Sequence, residues 1–93
     1  MSALLFGHVA LTYRELFELL RTKYNCSIYR QARPGELEDA DGAPAAGLIR
    51  CDRTVRGRLL QRAISFNDEN EPITPTTLGS IYRSLQIEDR PPY

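Results

Sequence analysis

The chain contains one histidine, two cysteines, one methionine and no tryptophan among its 93 residues. A structural zinc site usually needs about four ligands. Cys26, Cys51 and His8 supply only three nitrogen or sulfur donors, and no two of them form a CxxC pair. We therefore expect no metal and no cofactor, and we interpret both cysteines as reduced, buried thiols of a cytoplasmic protein.

Long hydrophobic runs are also lacking. None approaches the roughly 18 residues that a membrane-spanning helix needs, so we expect no membrane association. The apolar start, residues 1–10, has no basic region and no cleavage site, so we do not expect a secretory signal. With 42% hydrophobic and 26% charged residues, the composition indicates a single globular domain over residues 1–93. Twelve basic and twelve acidic side chains balance, so net charge indicates no class of partner.

No pattern typical of an active site is found in the sequence. The three serines considered as nucleophiles lie in no nucleophile elbow and have no histidine beside them in sequence, namely Ser65, Ser80 and Ser84. His8 has no carboxylate nearby in sequence, and the glycines form no phosphate-binding loop. We assign no catalytic residue and lean toward a protein without enzymatic activity.

Two helices are well marked. Thr12 and Glu15 form a capping box, and apolar residues recur at helical spacing after it, which predicts a helix over residues 12–24 with Asn25 as its stop. Thr74 followed by Pro75 is typical of a helix start, and the apolar pattern that follows predicts a second helix ending near Gln86. A glycine within it, Gly79, is interpreted as allowing close packing against a neighbour.

The region between the helices favours strands. Alternating, β-branched and aromatic residues predict strands near residues 26–30, 46–52 and 60–66, although a short amphipathic helix is an alternative for the third. Residues 32–44 are rich in proline, glycine and acids and predict a mobile surface loop, and residues 88–93 predict a flexible tail. The expected fold is an α+β domain of order α-β-β-β-α, with both helices on one face of a three-stranded antiparallel sheet.

This order and two stretches, residues 11–20 continuing into 27–31 and residues 73–85, resemble the HicA-type toxin family. Its members are small mRNA interferases with a fold like that of double-stranded-RNA-binding domains. The resemblance implies the same scaffold and an RNA-facing surface. The family carries a Gly-Ser-His motif on its sheet, with the histidine as catalytic residue. This chain has only His8, before the first helix, so the family's activity does not carry over.

Eleven of the twelve basic residues are arginine, and five of these fall within thirteen residues that contain one acid, Asp52. They are Arg50, Arg53, Arg56, Arg58 and Arg62. We expect Arg50 and Arg62 to lie in strands and the other three to surround Gly57 in a connecting loop. The cluster can follow a phosphate backbone, or it can be a solvated hairpin whose arginines pair with nearby acids. Tyr29 is the one aromatic side chain retained as a stacking candidate, with Arg30 beside it.

Three functions remain open from the sequence. The leading hypothesis is a non-catalytic domain that binds RNA or another nucleic acid through the arginine-rich segment. The second is a protein-interaction module, a regulator or phage-type inhibitor, that uses the acidic loop or the apolar N-terminus. The third is a HicA-like ribonuclease. For residues 1–10 we consider two roles, a strand or turn that covers the domain or a contact in a homodimer.

Overall fold

The computed structural model describes residues 10–32, 37–38, 44–45 and 47–93 of the chain. Within these residues, two helices and five strands follow one another in the order α1, β1, β2, β3, β4, β5, α2. Their bounds are α1 Tyr13–Thr22, β1 Ser27–Ala32, β2 Leu37–Glu38, β3 Pro44–Ala45, β4 Gly47–Val55, β5 Arg58–Phe66 and α2 Pro75–Ser84. The protein is a small α+β domain, as the sequence predicts.

The main sheet has three antiparallel strands in the order β1-β4-β5. The ladder between β4 and β5 is regular over nine residue pairs, from Gly47 opposite Phe66 to Val55 opposite Arg58. Only Arg56 and Gly57 connect these strands, and both have positive φ, 52° and 79°. A two-residue loop with two positive φ values is a type I′ turn, whose twist suits an antiparallel hairpin.

This hairpin confirms the predicted third strand and has a shorter loop than the sequence suggested. The strand over residues 60–66 is confirmed, and the helical alternative is wrong, because every residue of β5 pairs with β4. Arg53 and Arg58, expected in the loop, lie within β4 and β5. The sequence suggested a longer loop because Arg-Gly is not the Asn-Gly pair that usually marks a type I′ turn.

Both helices begin where the sequence places them. The capping box of α1 is present, with the Glu15 amide donating to Thr12 Oγ1 at 3.1 Å and the Thr12 amide donating to Glu15 Oε1 at 2.9 Å. Thr74 accepts from the Thr77 amide at 3.2 Å at the start of α2. No helix among the described residues has the length and hydrophobicity needed to cross a membrane.

The end of α2 is a Schellman motif. Gln86 has a φ of 52°, its amide donates to the Arg83 carbonyl at 3.1 Å, and the Ile87 amide donates to the Tyr82 carbonyl at 2.9 Å. This motif normally has glycine at the residue with positive φ, which is why the exact end was not evident from the sequence. Ile87, the residue after it, is buried in the core.

The core lies between the helices and one face of the sheet. The most completely buried side chains come from both helices, from alternate positions of β4 and from the flanking segments: Leu16, Leu20, Ile49, Cys51, Ile73, Leu78, Ile81 and Leu85. The Phe66 ring of β5 contacts the rings of Tyr13 and Phe17, with both centroid distances 5.6 Å. Both helices therefore cover the same side of the sheet.

Tyr93, the last residue of the segment predicted as a flexible tail, contacts this core through its hydroxyl group. The Tyr93 hydroxyl donates to the Ile73 carbonyl at 2.6 Å and accepts from the Leu11 amide at 3.2 Å. Sequence reasoning did not identify this anchor because both partners are backbone groups far away in sequence.

Two other predicted segments lie mostly outside the described residues. In the predicted loop over residues 32–44, Ala32 ends β1, and Leu37 and Glu38 of β2 pair with Ala45 and Pro44 of β3. The remainder of that loop, and residues 1–9 of the apolar N-terminal segment 1–10, are outside the described part of the chain. The covering and homodimer roles of that segment stay predictions.

Glycine-to-alanine substitutions at two sites should change stability in opposite directions. A Cβ at Gly47 would lie 2.7 Å from Cζ of Phe66, whose ring is held by Tyr13 and Phe17, so Gly47→Ala should destabilise the domain by about 1–3 kcal/mol. A Cβ at Gly79 meets only the end of the Arg83 side chain, at 3.4 Å, so close packing of a neighbour does not explain this glycine.

Gly79→Ala should therefore stabilise the protein by up to about 1 kcal/mol, because alanine has the higher helix propensity. Urea unfolding of both variants measures the two effects. Equal stability of Gly47→Ala and the wild type would contradict the tight contact with Phe66.

Candidate functional site

The side of the sheet opposite the helices is called here the open face. Because strand side chains alternate, the residues next to buried Ile49 and Cys51 point to this side. The register places them in four rows across the strands. The rows are Tyr29–Arg50–Ala63, Ser27–Asp52–Gln61, Thr54–Leu59 and, at the other end of the hairpin, Leu48–Ser65. Within the described ranges no helix packs on this face, and its side chains are partly or fully exposed.

Tyr29 and Arg50 form the centre of the open face. The Arg50 guanidinium carbon lies 4.7 Å from the centroid of the Tyr29 ring, in cation–π geometry. The same guanidinium donates to both oxygens of Asp52, from Nε to Oδ1 at 2.9 Å and from its terminal nitrogen to Oδ2 at 3.2 Å. Tyr29 is 48% exposed. Its aromatic ring therefore remains accessible to a ligand beside the fixed Arg50 guanidinium.

Arg53, predicted as a nucleic-acid contact, lies on the opposite face of the sheet. Its guanidinium donates to the carbonyls of Leu85 and Gln86, at 2.7 and 2.9 Å. These are among the carbonyls at the end of α2 that have no partner within the helix. The positive charge also complements the negative end of the helix dipole. Arg53 thus attaches the C-terminus of α2 to β4.

Arg62 and Arg30 are also held by other side chains on the helix side. Arg62 donates to the hydroxyls of Ser80 and Ser84 on α2, at 3.0 and 2.7 Å. Arg30 forms an ion pair with Glu69 at 2.6 Å, and Arg14 pairs with the same carboxylate at 3.2 Å. The hydrogen bond from Arg30 holds the pKa of Glu69 below its usual value. Both arginines therefore already connect elements of the fold.

Arg56 and Arg58 remain exposed at the hairpin end. Neither forms an ion pair with any residue that the structure describes. Arg58 pairs with Val55, one pair beyond Thr54 and Leu59, and strand alternation assigns that pair to the helix side. The two arginines therefore lie at the hairpin tip and not on the open face itself. The seven predicted contact residues therefore do not form one surface. Tyr29 and Arg50 lie on the open face, Arg56 and Arg58 lie at the hairpin tip, and the remaining three lie on the helix side: Arg30, Arg53 and Arg62.

Sequence reasoning did not identify two residues of the open face as site residues. Leu59, 59% exposed, fits only the helical alternative for the third strand and was no site candidate, and Asp52 was considered only as the one acid in a basic segment. The signal that could have found them is alternation: a hairpin turn at 56–57 places residues 50, 52, 54 and 59 on one side.

The two cysteines carry no chemistry at the open face. Both are free and buried, as expected, on the helix side of the sheet. Burial raises the pKa of the Cys51 thiol to about 12 and also raises that of Cys26, so both thiols stay protonated near neutral pH. Among the described residues, no three His, Cys, Asp or Glu side chains come together in a cluster that could hold a metal ion.

Replacement of Arg53 should affect stability, whereas replacement of Arg56 should not. Arg53→Ala removes two charge-assisted hydrogen bonds at the end of α2 and should lower the free energy of unfolding by about 1–3 kcal/mol. Arg56→Asn should leave it unchanged within about 0.5 kcal/mol or raise it, because asparagine accepts positive φ at this turn position. Thermal and urea unfolding measure both, and equal effects would contradict the assigned role of Arg53.

Comparison with known proteins assigns no family to this chain. No protein-family model matches it, and no curated protein and no solved structure shows significant similarity. The resemblance to HicA-type toxins therefore stays a prediction from the sequence, and arguments about function rest on the geometry of the open face and the hairpin end.

Proposed function

We propose that this domain binds single-stranded nucleic acid, RNA in the first instance, on the open face of its sheet and without catalysis. The observation that carries the proposal is the half-exposed Tyr29 ring with the Arg50 guanidinium over it at 4.7 Å. Proteins bind single strands by stacking bases on exposed aromatic rings and on arginine planes. Tyr29 lies on edge strand β1, which pairs with central strand β4, and the Arg50 guanidinium from β4 packs over the ring and restricts its orientation.

The hairpin end supplies the charge that a phosphate backbone requires. Arg56 and Arg58 are exposed at the hairpin tip, at the end of the sheet that Thr54 and Leu59 reach, and are therefore available to phosphates. Arg50 contributes less net attraction, because Asp52 neutralises it through two hydrogen bonds. Moderate affinity with a shallow salt dependence is the expected behaviour, since few phosphates are contacted.

Removing the ring should weaken binding with little effect on folding. Tyr29→Ala should reduce affinity for a single-stranded RNA octamer by about 5- to 150-fold, which corresponds to about 1–3 kcal/mol for one stacked base. Tyr29→Phe should retain most of the affinity, because its ring still stacks. Fluorescence anisotropy with labelled RNA measures this. If Tyr29→Ala binds like the wild type, stacking on the open face is wrong.

Removing the tip arginines should change the salt dependence. Each lost phosphate contact should lower the slope of log affinity against log salt by about 0.7 for a single strand, so Arg56→Asn combined with Arg58→Thr should lower it by up to about 1.4. The matched control is Arg83→Ala, an exposed arginine on α2, which should leave the slope unchanged. A slope that falls equally in the control and the double variant would contradict binding at the hairpin end.

A protein-interaction module is the second candidate. It is favoured by one observation: Leu59 and Tyr29, the two large hydrophobic residues most exposed among those described, lie on the same face beside a neutral Arg50–Asp52 pair. Such a domain would bind no RNA at moderate salt and would lose its protein partner in Leu59→Gln. The HicA-like ribonuclease has less support, because the one histidine of the sequence, His8, precedes α1 and no histidine occurs in the strand segments.

A further inference from the structure

A pocket lies on the open face between the α1–β1 connection and the hairpin. It has a volume of about 350 Å³, and Asn25, Ser27, Tyr29, Asp52, Thr54 and Leu59 are among the residues that line it. This volume is near the lower end of the range for small-ligand pockets. The pocket lies next to Tyr29, and one residue pair separates it from the turn at Arg56 and Gly57. This position suits a nucleotide whose base occupies the pocket and whose phosphate points toward the hairpin end.

The walls of the pocket differ in chemistry. Tyr29 and Leu59 supply apolar surface from the two edge strands. Tyr29 lines the pocket and Arg50 does not, so a ligand in the pocket need not displace the guanidinium from the ring. The ring can therefore keep its arginine partner while a base stacks on its pocket side. An aromatic ring together with hydrogen-bonding side chains, here those of Ser27, Asp52 and Thr54, is typical of base-binding sites in proteins that recognise single-stranded RNA.

Asp52 is the polar group with the most restricted orientation. Its side chain is only 13% exposed, and Arg50 holds both oxygens. A carboxylate has about four acceptor positions and no donor. Two are taken by Arg50, and a long contact from Gln61 Nε2 at 3.5 Å approaches a third. The outer acceptor position of Oδ1 therefore remains free for a ligand donor, while Oδ2 keeps its contacts with Arg50 and Gln61.

We infer that this pocket binds one guanine base, with Asp52 accepting from its Watson–Crick edge; the inference rests on the proposed single-strand binding. Guanine presents two adjacent N–H donors there, from N1 and the N2 amino group. Adenine and cytosine place an acceptor next to their amino group, and uracil presents one donor between two acceptors. A fixed carboxylate therefore attracts guanine and repels the acceptors of the other bases. The Ser27 and Thr54 hydroxyls can donate to the guanine acceptors.

The direct test uses the wild-type protein and the four nucleoside 5′-monophosphates. In an NMR titration, GMP should shift the backbone amide signals of Ser27, Thr54 and Leu59 and bind at least about fivefold more tightly than AMP, CMP or UMP. Equal binding of all four, preference for another nucleotide, or shifts confined to other parts of the protein would overturn the inference. No variant is needed, so a folding defect cannot obscure this result.

A variant series separates the pocket from the general binding surface. Uridine octamers carrying one guanosine or one adenosine are compared, and Asp52→Asn should abolish the difference in affinity between the two octamers, because the amide presents a donor where the carboxylate presents an acceptor. The control, Ser65→Ala, changes an open-face residue outside the pocket and should retain the preference. Melting temperatures confirm that both variants fold.

The outcomes for the two proposals are distinguishable. If octamers bind without any preference for guanosine, the guanine inference is wrong and single-strand binding stands. If no octamer binds at micromolar protein, single-strand binding is wrong. In that case selective shifts by GMP at the pocket residues would still support a guanine site, and their absence would overturn it.

Discussion

The nine residue pairs between β4 and β5 decide which side chains of this domain reach the core and which reach the open face. Side chains of a strand alternate between the two faces, so a shift of one residue in this register would exchange the sets. Ile49 and Cys51 would then leave the core, and Arg50 and Asp52 would enter it. The type I′ turn at Arg56 and Gly57 sets the register, because a loop of two residues leaves no freedom to slip.

The same ladder divides the arginines into two functional groups. On the helix side, Arg53 and Arg62 hold α2 against the sheet through carbonyl and hydroxyl oxygens. On the open face, Arg50 is fixed between a tyrosine ring and a carboxylate. A stretch of sequence that is uniformly basic thus contributes to stability on one side and to a candidate binding surface on the other. Charge density along the chain is therefore a poor measure of the positive surface available to a partner.

Candidate binding groups lie on the most regular part of the structure, not on loops. Tyr29 and Asp52 are on paired strands, and Arg50 restricts the rotamers of both. Restricting these side chains before a ligand arrives lowers the entropy that binding must offset. The tip arginines, Arg56 and Arg58, are exposed and carry no such restraint, which suits non-directional attraction to phosphates.

Local features could be predicted from the sequence because each depends on residues close together in the chain. The capping box of Thr12 and Glu15, the proline start of α2, and the alternation of β5 all belong to this class, and together they indicated the α+β order. The end of α2 was less evident, since Gln86 holds a positive φ that glycine normally adopts and Arg53, 33 residues earlier, completes the end of the helix.

The sequence by itself determined the order of the two helices and the three strands of the main sheet, the capped helix starts and the concentration of arginines between the helices. Only the tertiary structure decided the partner of each arginine, the anchoring of Tyr93 and the position of the pocket beside Asp52. The physical reason is that propensity, capping and periodicity act over a few residues. Partners such as Leu85 for Arg53, Ser80 for Arg62 and Ile73 for Tyr93 come together only after the sheet register and the helix packing are set.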